Sequence, residues 1–439
     1  MKTPRLILWT VLMAIGTLLI HRAQGQTYSP TVYLIGVEEV DTLYGNCMRL
    51  ETMDSATQDY IDTHRRGFQQ SHHPQFIFAT RNNNFSFSIG GFVALRAAYD
   101  FDGISDNLDF VPYDIPLTAD YNNRQQLLMD ASTSRVFIKG IANTNTLGQV
   151  VIYIDGDFRG DSGKSYTPRL RSAYVSMLGL TLGRDVTTFC DLEAAPMTID
   201  FQGPNAYNFN FATMIRYELP FWQDRMKAGV ALEMPSVSGT YNQKYLEMRQ
   251  RVPDIPIYLQ WAWGENRDSH LRASAVFRQL YVRNAVVEEN KSLFGWGVQL
   301  SGTIGVFPWM RLYMNGVYGR GITPYLQDLT GSGLDFVPSN TNGESIETLP
   351  MWGWQAAAQF NITPRMWVSG GYSMVSLERE TEYVTADMYK TGTYIFGNIF
   401  YALTPRCRIA AEYLYGSRKN MDAVKNHANR VNLELQYNF

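Results

Sequence analysis

Cysteine is nearly absent from this chain of 439 residues, and what little there is stands apart. Cys47, Cys190 and Cys407 form no C-x-x-C pair, which removes the usual zinc and dithiol motifs. One bridge between Cys47 and Cys190 stays open in an oxidising compartment, because spacing does not fix connectivity. Histidine is also scarce, and no H-E-x-x-H or G-x-S-x-G sequence occurs. Only His270 falls on an extended stretch, and its neighbours Ser269 and Ser274 do not present a triad, so an enzyme is disfavoured. No D-x-D-x-D-G spacing indicates calcium. No metal or cofactor is therefore expected, and nothing in the charge pattern suggests nucleic acid.

Long apolar runs are missing as well, with one exception. Leu6 to Ile20 follows Lys2 and Arg5 and precedes the small residues Ala23 and Gly25. The run is short for a membrane helix of ~20 residues and lacks a stop-transfer cluster, so residues 1–25 read as a signal peptide with Gln26 first in the mature chain. Without Lys2, Arg5 and Arg22, 35 basic residues face 41 acidic ones, a net charge of −6.

What the chain does have is aromatics and a period of two. It carries 27 Tyr, 23 Phe and 9 Trp. Its last nine residues place Val431, Leu433, Leu435, Tyr437 and Phe439 on one face and Asn432, Glu434, Gln436 and Asn438 on the other. That alternation is a strand with one apolar and one polar side. Similar stretches recur at Phe85 to Arg96, Arg135 to Lys139, Gln149 to Asp157, Arg169 to Met177 and Leu180 to Arg184. Others centre on Ile215, Val230, Leu259, Ala273, Val298, Leu312, Ala356, Val368, Phe396, Ala411 and Leu435. The sum is about sixteen strands, and Ala273 to Phe277 is the least regular because Val276 and Leu280 break its polar side.

Connections alternate in length. Pro220 to Asp224, Gly264 to Asp268, Val306 to Trp309, Asn361 to Pro364 and Ala402 to Arg406 are short. Phe101 to Thr133, Val186 to Phe209, Met234 to Asp254, Tyr281 to Lys291, Thr323 to Pro350, Ser376 to Lys390 and Gly416 to His427 are long. Aromatics gather near strand ends, among them Trp222, Trp261, Trp309 and Trp354. The pattern predicts an all-β fold, a transmembrane antiparallel β-barrel over residues 85–439 with short periplasmic turns and long external loops in a bacterial outer membrane. Terminal Phe439 would address the barrel-assembly machinery. Residues 26–84 lack a clear period and form an N-terminal extension assigned to the periplasm; Leu50 to Phe68 has the composition of a polar helix, and a lumen plug and a disordered segment are the open alternatives.

Alternation points Arg96, Arg135, Arg169, Arg171, Arg216, Arg272, Arg278, Arg311, Arg408 and Arg430 into the lumen. Guanidinium stays charged and forks toward carboxylate or phosphate, so such a wall lowers the barrier for anions. The competing reading pairs these arginines with inward Asp100, Asp155, Asp157, Glu218, Glu233, Glu412 and Glu434 as wall filling. The loop Val186 to Phe209 carries Asp191, Glu193 and Asp200; folded inward, it would oppose its acids to the arginines and narrow the pore. An ordinary external loop or a subunit contact is the alternative.

Around this loop the chain resembles the DcaP-like family of trimeric outer-membrane porins. The resemblance rests on Gly183-Arg184-Asp185-Val186-Thr187-Thr188-Phe189 with Asp191, Ala194, Ala195, Pro196, Thr198, Asp200, Phe201, Gly203 and Pro204. Arg169-Leu170-Arg171, Glu412-Tyr413-Leu414-Tyr415-Gly416 and Tyr437-Asn438-Phe439 are similar to it too. It implies a sixteen-stranded homotrimer passing small anionic solutes, dicarboxylates among them, with a periplasmic N-terminal extension. A sealed barrel serving as a surface binding or adhesion protein is the second function carried forward.

Overall fold

Strands whose polar faces all turn the same way can be satisfied by closing on themselves, since closure pairs every edge. The computed structural model describes residues 31–35, 43–70, 76–80, 82–102, 108–118, 121, 124–161, 166–264, 267–338, 345–378 and 385–439, with the side chains of 35 and 43–52 excepted. The signal-peptide reading of residues 1–25, the mature start at Gln26 and the thiol of Cys47 lie outside the described residues.

Sixteen strands form the barrel: β1 Phe85–Asp102, β2 Arg135–Thr144, β3 Gly148–Asp157, β4 Arg169–Met177, β5 Leu180–Val186, β6 Phe211–Phe221, β7 Met226–Glu233, β8 Ile255–Trp263, β9 Ser269–Asn284, β10 Glu289–Phe307, β11 Met310–Arg320, β12 Pro350–Thr363, β13 Met366–Leu377, β14 Tyr389–Ala402, β15 Cys407–Asn420 and β16 Lys425–Asn438. All sixteen predicted centres fall within them. Each pairs antiparallel with the next, and β16 returns to β1 with Leu435 opposite Leu95 and Asn438 opposite Phe92. The Phe439 N–H donates to the Gly91 carbonyl, and the Gly91 N–H donates back, both at 3.0 Å.

Outward residues such as Val93, Leu95, Val136, Ile138, Leu300 and Leu433 are exposed and apolar, as lipid contact requires. At the short-turn end, Phe307 stacks on Trp309 at 5.1 Å and Trp309 on Phe360 at 6.2 Å. Trp261 and Trp263 lie 4.9 Å apart in the same girdle.

Two predicted long loops are hairpin tips instead. β9 continues to Asn284 before β10 begins at Glu289, and β15 continues to Asn420 before β16 begins at Lys425. Their polar composition suggested loops, but ladder hydrogen bonds carry both pairs past the bilayer. At ~3.4 Å per residue β9 is roughly 50 Å long, and at the usual tilt of ~40° it rises about 40 Å, well beyond the ~25 Å apolar band of such barrels.

The lumen is largely filled. Val276 and Leu280, which broke the polar pattern of β9, are fully buried. Val276 packs with inward Val317, Met351 and Val375 against Ile322, Tyr325, Leu326, Leu329 and Leu334 of the β11–β12 loop. The break in alternation therefore marks where a loop folds inward and covers the wall.

The N-terminal extension lies against the barrel. β16 ends opposite Gly91, so the first residues of β1 have an open side, and strand Phe76–Thr80 fills it with Phe76 opposite Ile89. Strand Thr31–Ile35 pairs parallel to that strand. Helix α1, Leu43–Asp62, sets Ala56 and Tyr60 on inward-facing Phe137, Ile141, Tyr153 and Tyr174. The lumen side of β2 to β4 is thus apolar where the helix covers it, which places this helix against the inner wall and not apart from the barrel.

Candidate functional site

The β5–β6 loop, residues 187–210, is held by strands from around the barrel. Glu233 on β7 accepts hydrogen bonds from the Thr187 hydroxyl and the Thr188 N–H, both at 2.6 Å. Gln355 on β12 donates to the Ala194 carbonyl at 3.0 Å. Glu412 on β15 accepts from the N–H groups of Ile199 at 3.0 Å and Asp200 at 2.8 Å. Asn205 donates to the Gly392 carbonyl on β14 at 3.1 Å. These partners are inward side chains or backbone on distant strands, so the loop crosses the lumen.

Its three acids do not form a common wall facing arginine. Asp191 is buried, accepting from His270 Nε2 at 2.9 Å and from the Ser301 hydroxyl at 2.7 Å. Burial pushes its carboxyl up, but the His270 hydrogen bond and charge, with help from Arg272 and Ser301, hold it below the ordinary range. Asp200 is fully buried, accepting from Phe110 N–H, Gly203 N–H and the Tyr394 hydroxyl. Burial raises its carboxyl, and nearby Asp109 and Glu412 raise it further. Both acids anchor the loop, because a buried carboxylate requires donors. Only Glu193 is exposed.

The arginines divide into two groups. Arg278 is fully buried, bonded to Asp254 at 3.0 Å and Asp335 at 3.1 Å, and faces no passage. Arg135 and Arg171 are each 1% exposed; both lie within 4 Å of Asp155, and Arg171 also binds Asp157. Their guanidiniums donate to the Gln69 carbonyl from the N-terminal segment, at 2.6 and 3.4 Å. Arg96, Arg408 and Arg430 pair with Asp130, Glu434 and Asp100. For these six the wall-filling reading holds. Arg169 is one-third exposed and paired with Asp157 at 2.6 Å. Arg311 is open near a short turn, 3.9 Å from Asp268.

Arg216 and Arg272 alone of the predicted pathway arginines line the main cavity, together with Asp191 and Glu193. This space of about 620 Å³ lies between residues 61–66, loop residues 186–193 and the wall from β3 to β9. Arg216 pairs with Asp185 at 2.8 Å. Arg272 stacks 3.6 Å from the Tyr258 ring centroid and donates to the Thr188 carbonyl, with no carboxylate partner among the described residues. Arg65, Arg66, Lys227 and Arg267 complete six cationic side chains against Asp62, Asp191, Glu193 and Glu218.

Sequence reasoning missed those four cations. Lys227 was available from the alternation of β7. Arg65 and Arg66 gave no signal, because the periodicity of their segment is poor. Cys190 is buried as a free thiol 3.6 Å from the Tyr207 hydroxyl, and Cys407 is free and half-buried. Among the described residues no cluster of three metal-ligating side chains exists.

Residues 79–304, more than half of the chain, match the family model for the DcaP outer membrane protein. No curated protein sequence matches the chain. The crystal structure of the outer membrane channel DcaP of Acinetobacter baumannii superposes with a TM-score of 0.70 at 21% identity, covering 81% of this chain and 98% of that one. The anion-selective porin from Comamonas acidovorans gives 0.52 at 14% identity, covering 81% and 100%. OmpT of Vibrio cholerae in its trimer form gives 0.50 at 11%, covering 81% and 99%. The closed sixteen-stranded barrel, its inward loop and the extent of the family match lead to one assignment: the chain belongs to the DcaP outer membrane protein family, a porin-type β-barrel of the bacterial outer membrane and not an enzyme.

Proposed function

We propose that the protein is a passive channel for small hydrophilic solutes that prefers anions, dicarboxylates among them, and that it assembles as a homotrimer. The observation that carries the anion preference is the cation excess of the cavity, above all Arg272, which makes no direct ion pair among the described residues and shares only the longer-range field of Asp191. In a confined aqueous space such charge raises the local anion concentration. The family resemblance supports the dicarboxylate class and the trimer, and the fold is shared with a porin described as anion-selective. A signal peptide over residues 1–25 and use of Phe439 by the assembly machinery complete this reading.

A second function has one observation in its favour. The β11–β12 loop and α1 fill much of the lumen, as a sealed surface-binding barrel would require. The reversal potential of the purified protein in a planar bilayer under a salt gradient separates the two. A potential set mainly by the anion supports the channel, and Arg272→Gln should then lower the anion-to-cation permeability ratio about twofold, from one unit charge acting with opposite sign on the two ions at ~8 Å through water and screened by salt over one Debye length. No conductance would favour the sealed barrel. A cation-set potential would remove the proposed selectivity.

A further inference from the structure

The strap that follows α1, residues 63–70, enters the barrel and is locked there. Before it, the Asp59 carboxylate accepts from Asn83 at 2.7 Å, Asn143 at 2.8 Å and Gln149 at 3.2 Å, and Lys139 donates to the Tyr60 carbonyl at 3.2 Å. Arg65 forms an ion pair with buried Asp185 on β5. The Phe68 N–H donates to the Leu192 carbonyl at 2.7 Å. The Phe68 ring is 2% exposed, edge-on to Tyr207 at 5.1 Å and to Phe209 at 5.6 Å. Gln69 then caps Arg135 and Arg171.

Strap and loop are also shaped for each other. Gly67 has φ +114°, and a β-carbon there would sit 2.2 Å from the Leu192 carbonyl oxygen. Gly203 has φ +70°, and a β-carbon there would sit 2.5 Å from the Phe68 ring. Two glycines at one contact, both in the left-handed region, indicate close backbone approach from each side. A segment that left the lumen to open it would have to break a buried ion pair, bare an aromatic ring and uncap two buried guanidiniums together.

We infer that residues 63–70 are a permanent part of the channel wall and that Arg66, carried on this strap, is a selectivity-determining residue of the passage beneath the inward loop. Arg66 lines the cavity, is exposed, and makes no ion pair among the described residues. Its charge is therefore available to a passing solute, whereas the charge of Arg65 is spent on Asp185. The inference rests on the channel reading above and deepens it. Part of the selectivity is then supplied from outside the sixteen strands.

The test compares reversal potentials in potassium chloride gradients for the full mature chain and its Arg66→Gln and Arg66→Glu variants, with Arg251→Gln as a control at an exposed loop position outside the cavity. Removing one charge is expected to lower the anion-to-cation permeability ratio about twofold, and reversing it to lower the ratio about twice as far on a logarithmic scale. Arg251→Gln should leave it unchanged. The parent chain's own potential tests the channel reading. The difference between parent and Arg66 variants tests the strap, whichever ion the parent prefers. Identical potentials for parent, Arg66→Gln and Arg66→Glu would overturn the inference, as would a strap that withdraws whenever the channel conducts, since that also leaves the potentials identical.

Discussion

Arg278→Met separates arginines that hold the barrel from arginines that select. The guanidinium of Arg278 donates to Asp254 and Asp335 and to the carbonyls of Gly321 and Ser236. Without it, Asp335 keeps the N–H groups of Ser238 and Thr323, and Asp254 keeps the Tyr325 hydroxyl. Two carboxylates then remain in a buried site with no cation. The least unfavourable response is to protonate one, and at pH 7 that costs about 4 kcal/mol for a group of ordinary pKa near 3.9. The figure agrees with the range of roughly 3–5 kcal/mol for removing one partner of a buried pair. Methionine replaces the aliphatic stem, so packing loss adds little. Guanidinium titration of folding into lipid vesicles should show the midpoint falling at unchanged slope. Adding Asp335→Asn to Arg278→Met should recover part of the loss. Ion selectivity should stay at the parent value. A loss below ~1 kcal/mol, against that expected range, or a selectivity change as large as that of Arg272→Gln, would refute the division of arginines made here.

Two further outcomes follow from the loops. Gly67→Ala forces an L side chain into φ +114° against the Leu192 carbonyl, so it should destabilise by more than ~1 kcal/mol in the same titration and expose the strap to protease; an unaltered midpoint would contradict the strap–loop contact. Asp328, in the β11–β12 loop, is raised by burial from 3.8 to about 6 despite donors from Tyr389, Tyr113 and Asn205. Its neutral form is the one the fold favours, so its contribution is complete below pH ~4 and is lost as pH rises through about 6. The loss is about 3 kcal/mol across that window. Asp328→Asn should therefore gain stability relative to the parent between pH 4 and pH 7, read from midpoints at both pH values, and a gap that does not move with pH would count against it.

The strands were legible because bilayer and lumen impose opposite demands at every second residue, and all sixteen centres came from that rule. Their ends were not, because β9 and β15 keep pairing in water, where polarity no longer distinguishes strand from loop. Alternation pointed the arginines inward and offered the partners that lie on strands, such as Asp100, Asp155, Asp157 and Glu434, but not the partners that lie on loops. Arg278 meets Asp335, 57 positions later, through a loop that no local period describes. It likewise could not orient Asp191 and Asp200, since a loop has no two-residue period; their burial is set by Ser301 and Glu412 on strands far away. Val276 and Leu280 looked like defects in β9 and proved to be the footprint of a loop. Arg65 and Arg66 stayed hidden because only the packed helix places them inside.

The inward loop takes its position from the last part of the chain to be made. Residues 187–210 precede nearly all of their partners: Gln355 follows Ala194 by 161 positions, and Glu412 follows Ile199 by 213. Glu233, His270 and Ser301 hold the first part of the loop, but until β12 to β15 exist the set of partners that spans it across the lumen is incomplete. The narrow part of this barrel is consequently complete only when its C-terminal strands are in place, although most of the loop that forms it lies earlier in the chain.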